Sequence, residues 1–311
     1  MNIVLSADNG YIDHCLSTIS SILENNQNVS LYILTEGFSF GNQKRLDAIA
    51  SKYGAQINII NISLDLLSNL PMPKDTRLSH ISVATYYRLF ITELLPKHVH
   101  KVIYLDCDII VRKSLMHLWE TDMSNYCIGA VYQIETDSIV NATRLGYPIQ
   151  YGYFNAGVLL INVSKWRELG AVHLFTEYLK DNFDNIVFHD QDVLNAVFYN
   201  RCLKLSCKYN MMPIYFTKGI YANAVLKNNG VAVCSYEDYI ITIQEEIKDP
   251  TIIHFAAKIK PWDKKCTHPL KSEYYRYAKK CDSFHSLGFV DFIFTKIHFI
   301  YRKMGFSDYA L

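Results

Sequence analysis

Apolar positions in the first hundred residues switch repeatedly between the strand and helix periods, and that switching predicts the architecture. IVLSA (3–7) is an apolar run of strand length. From Tyr11 to Glu24, the residues Cys15, Leu16, Ile19, Ile22 and Leu23 recur at helical spacing. VSLYILTE (29–36) reads as a second strand, Gln43 to Tyr53 as a second helix, and QINIINIS (56–63), rich in β-branched residues, as a third strand. Pro71 and Pro73 mark residues 64–78 as a loop. A helix from Val83 to Leu95 is stopped by Pro96, and KVIYLDCDIIV (101–111) follows as one strand. CIGAVY (127–132) and YFNAGVLLIN (153–162) read as strands separated by a polar stretch suited to a mobile active-site loop. Ser164 is placed to cap a helix running through WRELGAVHLFTEYL, and Asp190 to begin another that reaches Asn200.

Strand–helix alternation with continuous apolar strands predicts an α/β fold, a largely parallel sheet covered by helices on both faces. Such sheets bind nucleotides beyond the carboxyl ends of their strands, so polar residues just after apolar runs carry the interest. Asp8 follows IVLSA, Asp106 and Asp108 follow VIYL, and His254 follows TII.

LDCD (105–108) combines position with chemistry. In a continuous strand, Asp106 and Asp108 share one face while Cys107 points away. Two neighbouring carboxylates repel, and a divalent cation between them relieves the repulsion; oxygen ligands suit Mg²⁺ or Mn²⁺. The spacing alone is common, since a second Asp-x-Asp occurs at Asp190 and Asp192. What distinguishes the first is its place at the end of a buried apolar strand. A lone histidine after an apolar run is ordinarily a core residue, but if His254 joins the pair, the mixed nitrogen and oxygen set favours Mn²⁺ over Mg²⁺. Arg88, one helical turn from Ala84 and Thr85, needs an anion if its face is buried; a surface salt bridge is the simpler alternative. Asn155 lies beside Ala156 and Gly157, small residues that admit close approach of a ligand to the backbone. In HDQD (189–192), Asp190 also reads as a helix N-cap.

The motifs IVLSAD, HISVATYYRL, VIYLDCDIIV, YFNAGVLLINVSKW, HDQDVLN and HFAAKIKPW together resemble glycosyltransferase family 8, most closely the bacterial lipopolysaccharide α-1,4-galactosyltransferases. The resemblance covers roughly residues 1–262. It implies a nucleotide-sugar-binding, Rossmann-like fold with a mostly parallel mixed sheet, and a retaining transfer of galactose or glucose from a UDP-sugar. Metal ligation falls to Asp106, Asp108 and His254. Ala7, Asp8 and Tyr11 match the loop that holds uracil and ribose. Arg88, Asp190, Asn155 and Ala156 match residues gripping the donor sugar, and Gln191 lies against its reacting face, with Asp190 the alternative nucleophile. Lys260 matches the lysine that meets the diphosphate, and His80, Cys107 and Ala257 fall within the same donor-binding motifs. Asn9 and Gly10 precede Tyr11 where the family often reads Asp-Asn-Tyr, Ala257 replaces the usual glycine of the last motif, and Gln133 replaces an acceptor-facing aspartate.

Composition narrows the partners. The 311 residues carry a formal net charge of +1, without the basic footprint of a nucleic-acid binder. From Lys258 onward there are 11 Lys and Arg against 5 Asp and Glu, so a basic tail follows a mildly acidic body. Phe289, Phe292, Ile293, Lys296, Ile297 and Ile300 fall on one face of a terminal helix, with Lys296, Arg302 and Lys303 near the interface, either interfacial to a membrane or docked on the body. This divides the chain into a catalytic domain over 1–262 and a basic, aromatic region over 263–311 with a small helical tail. MNIVLSAD reads as a strand and not a leader, no run reaches membrane-spanning length, and the eight cysteines lack paired spacing, so a cytoplasmic protein, in peripheral contact with the inner membrane face or free of it, is expected. The partners expected are a UDP-hexose and a saccharide or glycolipid acceptor. A binding module without turnover would keep Asp8 and Arg88 but lose a metal ligand. A phosphotransferase would need a Gly-rich phosphate loop, and none follows the first strand.

Overall fold

The computed structural model describes residues 1–63, 66, 83–133, 137–216 and 243–281. Strand β1 (Asn2–Ser6), helix α1 (Ile12–Asn25), β2 (Ser30–Thr35), α2 (Phe40–Tyr53) and β3 (Gln56–Asn61) form the predicted alternation. A 3-10 helix (Val83–Phe90) and α3 (Ile91–Leu94) lead to β4 (Lys101–Leu105) and the short β5 (Ile109–Val111). Then come α4 (Met116–Glu120), β6 (Ile128–Tyr132), α5 (Asp137–Leu145), β7 (Phe154–Asn162), α6 (Val163–Glu168), α7 (Ala171–Asn182), α8 (His189–Phe198) and β8 (Cys202–Lys204). Strand β9 (Ile252–His254) and helix α9 (Lys271–Ala278) follow.

Seven strands form one sheet in the order β3-β2-β1-β4-β7-β6-β8, and β5 pairs with β9 in a second. Strands β1 to β4 are mutually parallel where they pair, while β7 runs antiparallel to both β4 and β6. The chain builds β1, β2 and β3 outward in one direction, then returns to place β4 on the other side of β1. The carboxyl ends of β1 and β4 therefore diverge into a crevice, the topological switch point at which such sheets bind ligands. Because β7 is antiparallel, it brings its beginning, Asn155 to Gly157, to that same end of the sheet; the Asp106 N–H donates to the Gly157 carbonyl at 2.9 Å. The core lies on both faces of the sheet, with α1 and α2 on one side and α7 and α8 on the other. Trp166 anchors the second layer: it is fully buried, packs on Phe175 and Phe198, and its indole N–H donates to the Cys127 carbonyl at 2.9 Å.

Several sequence expectations change in detail. The continuous strand over 101–111 is two strands in different sheets, and Asp106 to Asp108 form the turn between them. The two carboxylates converge because the chain bends there, not because they alternate along one strand. Thr18 of α1 holds the bend: its buried hydroxyl faces the carbonyls of Cys107 (2.9 Å) and Ile109 (2.8 Å). The helix expected from Val83 is mostly 3-10, turning α-helical only at Ile91. Gly170, with φ +61°, splits the helix predicted after Ser164 into α6 and α7; the N-cap is Asn162, whose side chain accepts from the Lys165 N–H. The polar stretch before β7 holds α5 instead of a loop, with its Arg144 tied to Asp192 of α8. Residues 263–281 pack on α1: the Tyr274 hydroxyl lies 2.7 Å from His14 Nδ1, and Asn25 Nδ2 donates to the Tyr277 hydroxyl at 3.0 Å. The terminal aromatic helix, and all but Leu66 of the loop at 64–78, lie outside the described residues. Among the described residues no helix is long and apolar enough to cross a membrane.

The role of Thr18 is testable. Thr18→Val keeps the shape but removes the one hydroxyl proton that these two buried carbonyls share, so it lowers stability by about 1–3 kcal/mol in urea unfolding. Thr18→Ser, which restores the hydroxyl, recovers most of the loss; an unchanged midpoint for Thr18→Val contradicts the assignment.

Candidate active site

Asp106 leaves the end of β4 and Asp108 precedes β5, while His254 is the last residue of β9, paired with Ile109. The Phe255 N–H donates to the Asp108 carbonyl at 3.0 Å, so the small β5–β9 sheet fixes the histidine against the aspartate. His254 Nε2 lies 3.3 Å from Asp108 Oδ1 and 3.9 Å from Asp106 Oδ2. Each of the three residues offers a ligand atom within 4.8 Å of the others. Two carboxylate oxygens and one imidazole nitrogen converging from three directions suit a divalent metal, and the imidazole favours Mn²⁺ over Mg²⁺. The space for them depends on β7. A Cβ on Gly157 would stand 2.2 Å from His254 Cε1 and 2.9 Å from Asp106 Oδ2, so no larger residue fits beneath the trio.

Positive groups frame the carboxylates. Arg88 is almost wholly buried; NH2 donates to Asp106 Oδ1 at 2.8 Å, NH1 to the Ala156 carbonyl at 2.6 Å, and Nε lies 2.9 Å from Asp190 Oδ2. The 3-10 helix thus points its arginine at two acids from separate elements, and the surface salt bridge considered above is excluded by burial. On the other side Lys260 Nζ meets Asp108 Oδ2 at 2.5 Å and the Phe255 carbonyl at 2.9 Å. Burial alone would raise the Asp108 carboxyl, but Lys260 and His254 hold it well below the usual carboxylate range. Asp190 behaves differently. Burial pushes it up to about 7 against the pull of Arg88, with the Asp106 charge adding to the rise. It lies in the first turn of α8 but does not cap it; Asp192 instead accepts the Val187 and Phe188 N–H groups, both at 2.7 Å.

These groups line one cleft of about 440 Å³ at the switch point. Around it stand Ala7, Asp8 and Tyr11 after β1, with the Tyr11 N–H donating to Asp8 Oδ1 at 2.9 Å. Opposite them the segment after β9 carries Ala257 and Lys260. The two walls meet through rings: His14 stacks on Trp262 at 3.4 Å, and Tyr11 stands edge-on to both. Burial first, then nearby Lys260, lowers His14 to about 4, against the opposing pull of Asp13 and Asp108, so it stacks as a neutral ring. Asn155, Ala156, Asp190 and Gln191 close the far side. Cys107 also touches the cleft, but its Sγ donates to the Ser6 carbonyl at 3.2 Å and fastens the turn to β1.

Every candidate site residue within the described residues lines this cleft; His80 lies outside them. Sequence reasoning did not single out Gly157 as a steric requirement, nor Asn210, Tyr153 and Arg144 as polar partners. Gly157 was visible only as one small residue among several, and Asn210 had no periodic or motif signal. His189 has a left-handed backbone (φ +50°) immediately before Asp190, a conformation no pattern of polarity reveals.

Comparisons with known proteins agree with this geometry. The family model described as Glycosyl transferase family 8 matches residues 2–266. General stress protein A of Bacillus subtilis is 28% identical over 286 residues, covering 89% of this chain and 92% of its own length. The lipopolysaccharide 1,3-galactosyltransferase of Salmonella typhimurium is 28% identical over 287 residues, covering 89% of this chain and 77% of its own. The crystal structure of the galactosyltransferase LgtC in complex with donor and acceptor sugar analogues matches with a TM-score of 0.74 at 26% identity, over 90% of this chain and 96% of its own. The chain belongs to glycosyl transferase family 8, and it is a glycosyltransferase with an Asp–Asp–His site suited to a metal.

Gly157→Ala tests the space beneath the trio. The added methyl displaces His254, so affinity for Mn²⁺ falls by about 10-fold or more while the far-UV circular dichroism stays native. Wild-type Mn²⁺ affinity in the variant contradicts the steric account.

Proposed function

We propose that this family 8 glycosyltransferase moves galactose or glucose from a UDP-sugar to a hydroxyl of a saccharide or glycolipid acceptor. The transfer keeps the anomeric configuration and serves surface lipopolysaccharide or polysaccharide assembly. The observation that carries the reading is the convergence of Asp106, Asp108 and His254 at the crevice between β1 and β4, with the buried Arg88–Asp190 pair beside it. The relative that acts on lipopolysaccharide supports the acceptor class. Residues 1–262 act as the catalytic unit, and the basic region over 263–311 seats the acceptor or meets an anionic membrane face from the cytoplasm.

In this reading Asp106, Asp108 and His254 hold Mn²⁺ and the uridine lies against Ala7, Asp8 and Tyr11. A divalent cation, when bound, offsets the charge that develops on the diphosphate oxygens. Lys260 turns from Asp108 to the same diphosphate, beside Ala257 in the cleft wall. Arg88 and Asp190 grip the sugar: Asp190, lifted toward neutrality by burial, either donates to or accepts from a sugar hydroxyl. Asn155 and Ala156 bound its other edge.

Gln191 faces the reacting carbon, and an amide is a poor nucleophile. Its Oε1 already accepts from Asn155 Nδ2 at 3.1 Å and the Ala156 N–H at 3.0 Å. Asp190 is engaged by Arg88. Both facts favour a front-face displacement over a covalent intermediate. The bond from sugar C1 to the UDP oxygen breaks as the acceptor oxygen bonds to C1 on the same face, and the acceptor proton passes to a diphosphate oxygen. Trapping a glycosylated Asp190 overturns this route.

Thermal-shift titration with UDP-galactose and UDP-glucose, with and without Mn²⁺, followed by assay of UDP release, tests the proposal. The wild type is stabilised more with Mn²⁺ present and releases UDP. Asp108→Asn folds normally, gains nothing from Mn²⁺ and has no transferase activity. Normal turnover of Asp108→Asn in the presence of a chelator contradicts the metal site, and metal-dependent binding without any release makes the chain a binding module.

A further inference from the structure

A chain of polar side chains runs from His254 behind the cleft wall, past Asn155 and Gln191, and into the protein. His254 Nδ1 lies 2.8 Å from Asn210 Oδ1, and Asn210 Nδ2 lies 2.8 Å from Asn155 Oδ1. Asn155 Nδ2 meets Gln191 Oε1, and Gln191 Nε2 meets the Tyr153 hydroxyl at 2.9 Å. That hydroxyl lies 2.6 Å from Asp192 Oδ1, a fully buried carboxylate bound by Arg144 through both oxygens at 2.8 and 3.0 Å. Asn210 follows β8 and is itself fully buried.

The direction of every bond in this chain is fixed by groups that cannot reverse. Asp192 is surrounded by donors, two from Arg144 and the Val187 and Phe188 N–H groups, so it accepts and the Tyr153 hydroxyl spends its one proton on it. The Tyr153 oxygen is then left to accept, and Gln191 must turn its amide nitrogen toward it. Gln191 Oε1 consequently faces the Ala156 N–H and Asn155 Nδ2, and the backbone N–H independently requires an acceptor there. Asn155 Oδ1 accepts from the Gly157 N–H at 2.9 Å and from Asn210 Nδ2, again with a backbone donor enforcing the orientation. Only Asn210 Oδ1 remains to meet His254 Nδ1, so that nitrogen carries a proton.

We propose that Asn210 is a positioning residue that accepts the His254 Nδ1 proton, fixes the ring with Nε2 facing Asp106 and Asp108, and ties this ligand to Gln191 through Asn155. The outer partner of a ligating histidine sets its tautomer and ring orientation, and its loss typically weakens metal binding by about 10–100-fold. The inference rests on the metal reading above and extends it to how the ligand is prepared before any metal arrives. It also joins the metal side of the cleft to the residue facing the sugar, so the two are aligned by one network and not by separate supports.

The tautomer is read directly in the metal-free protein from the long-range ¹H–¹⁵N spectrum of the His254 ring. A proton on Nδ1, hydrogen-bonded to Asn210, is expected, and a bare Nδ1 overturns the proposal. Mn²⁺ titration by electron paramagnetic resonance gives the second arm. Asn210→Leu removes the acceptor and lowers Mn²⁺ affinity about 10–100-fold. Asn210→Asp keeps the acceptor for Nδ1 but loses the donor to Asn155, so its Mn²⁺ affinity stays within a few-fold of wild type while kcat falls and KM for the donor is less affected. A general packing role would damage both variants alike, and wild-type affinity in a folded Asn210→Leu contradicts the relay. Should Asn210→Leu not fold, the wild-type spectrum and Asn210→Asp decide. Failure of the wild type itself to bind Mn²⁺ strikes the metal reading alone, because the spectrum needs no metal.

Discussion

Two carboxylates at the end of a buried strand need positive charge nearby, and the arrangement around Asp106 and Asp108 answers that need. Neither acid can be desolvated alone at tolerable cost. Arg88 reaches Asp106 from the 3-10 helix and Lys260 reaches Asp108 from the segment after β9. His254 sits between the acids on a two-stranded sheet that is otherwise small enough to look incidental. Arg88 comes from before β4 and His254 and Lys260 from β9 and the segment after it, so the acids draw distant parts of the chain together at one point. Lys260 fills the role of cation while it lies on Asp108.

The sheet topology makes the point of convergence accessible. Placing β4 beside β1 after β2 and β3 have gone the other way opens the crevice, and the antiparallel β7 returns its first residues to the same rim. Gly157 then matters by what it lacks: β7 can pass directly under His254 only without a side chain there. Thr18 and Cys107 act from below, binding the turn that carries Asp108 to α1 and β1. The functional atoms sit on strand ends, a helix start and short turns pinned to regular elements, and that suits a site whose geometry must exist before its ligands arrive.

Much of this was legible in the sequence. Period-2 and period-3.6 patterns placed the first three strands and two helices, and the rule about strand carboxyl ends pointed to Asp8, Asp106, Asp108 and His254 before any geometry was known. What was not legible has physical reasons. KVIYLDCDIIV is apolar on both sides of LDCD, so nothing local announces that the chain changes sheets there; the bend is imposed by a hydroxyl from a distant helix. The 3-10 form of Val83–Phe90 and the break at Gly170 depend on packing, which outweighs propensity. Asn210 and Arg144 meet their partners across 55 and 48 residues of sequence, and such polar pairs leave no periodic trace. The resemblance to the family supplied roles for Lys260 and Gln191 that spacing alone did not.

The central claim is that Asp106, Asp108 and His254 form a metal site that presents the cation to a diphosphate. Pulsed electron paramagnetic resonance on the Mn²⁺ complex with UDP reads this directly. One directly bound imidazole nitrogen, lost in His254→Ala, together with coupling to the phosphorus of UDP, is the predicted result. Phosphorus coupling with no histidine nitrogen would mean that the nucleotide alone holds the metal, and would contradict the account.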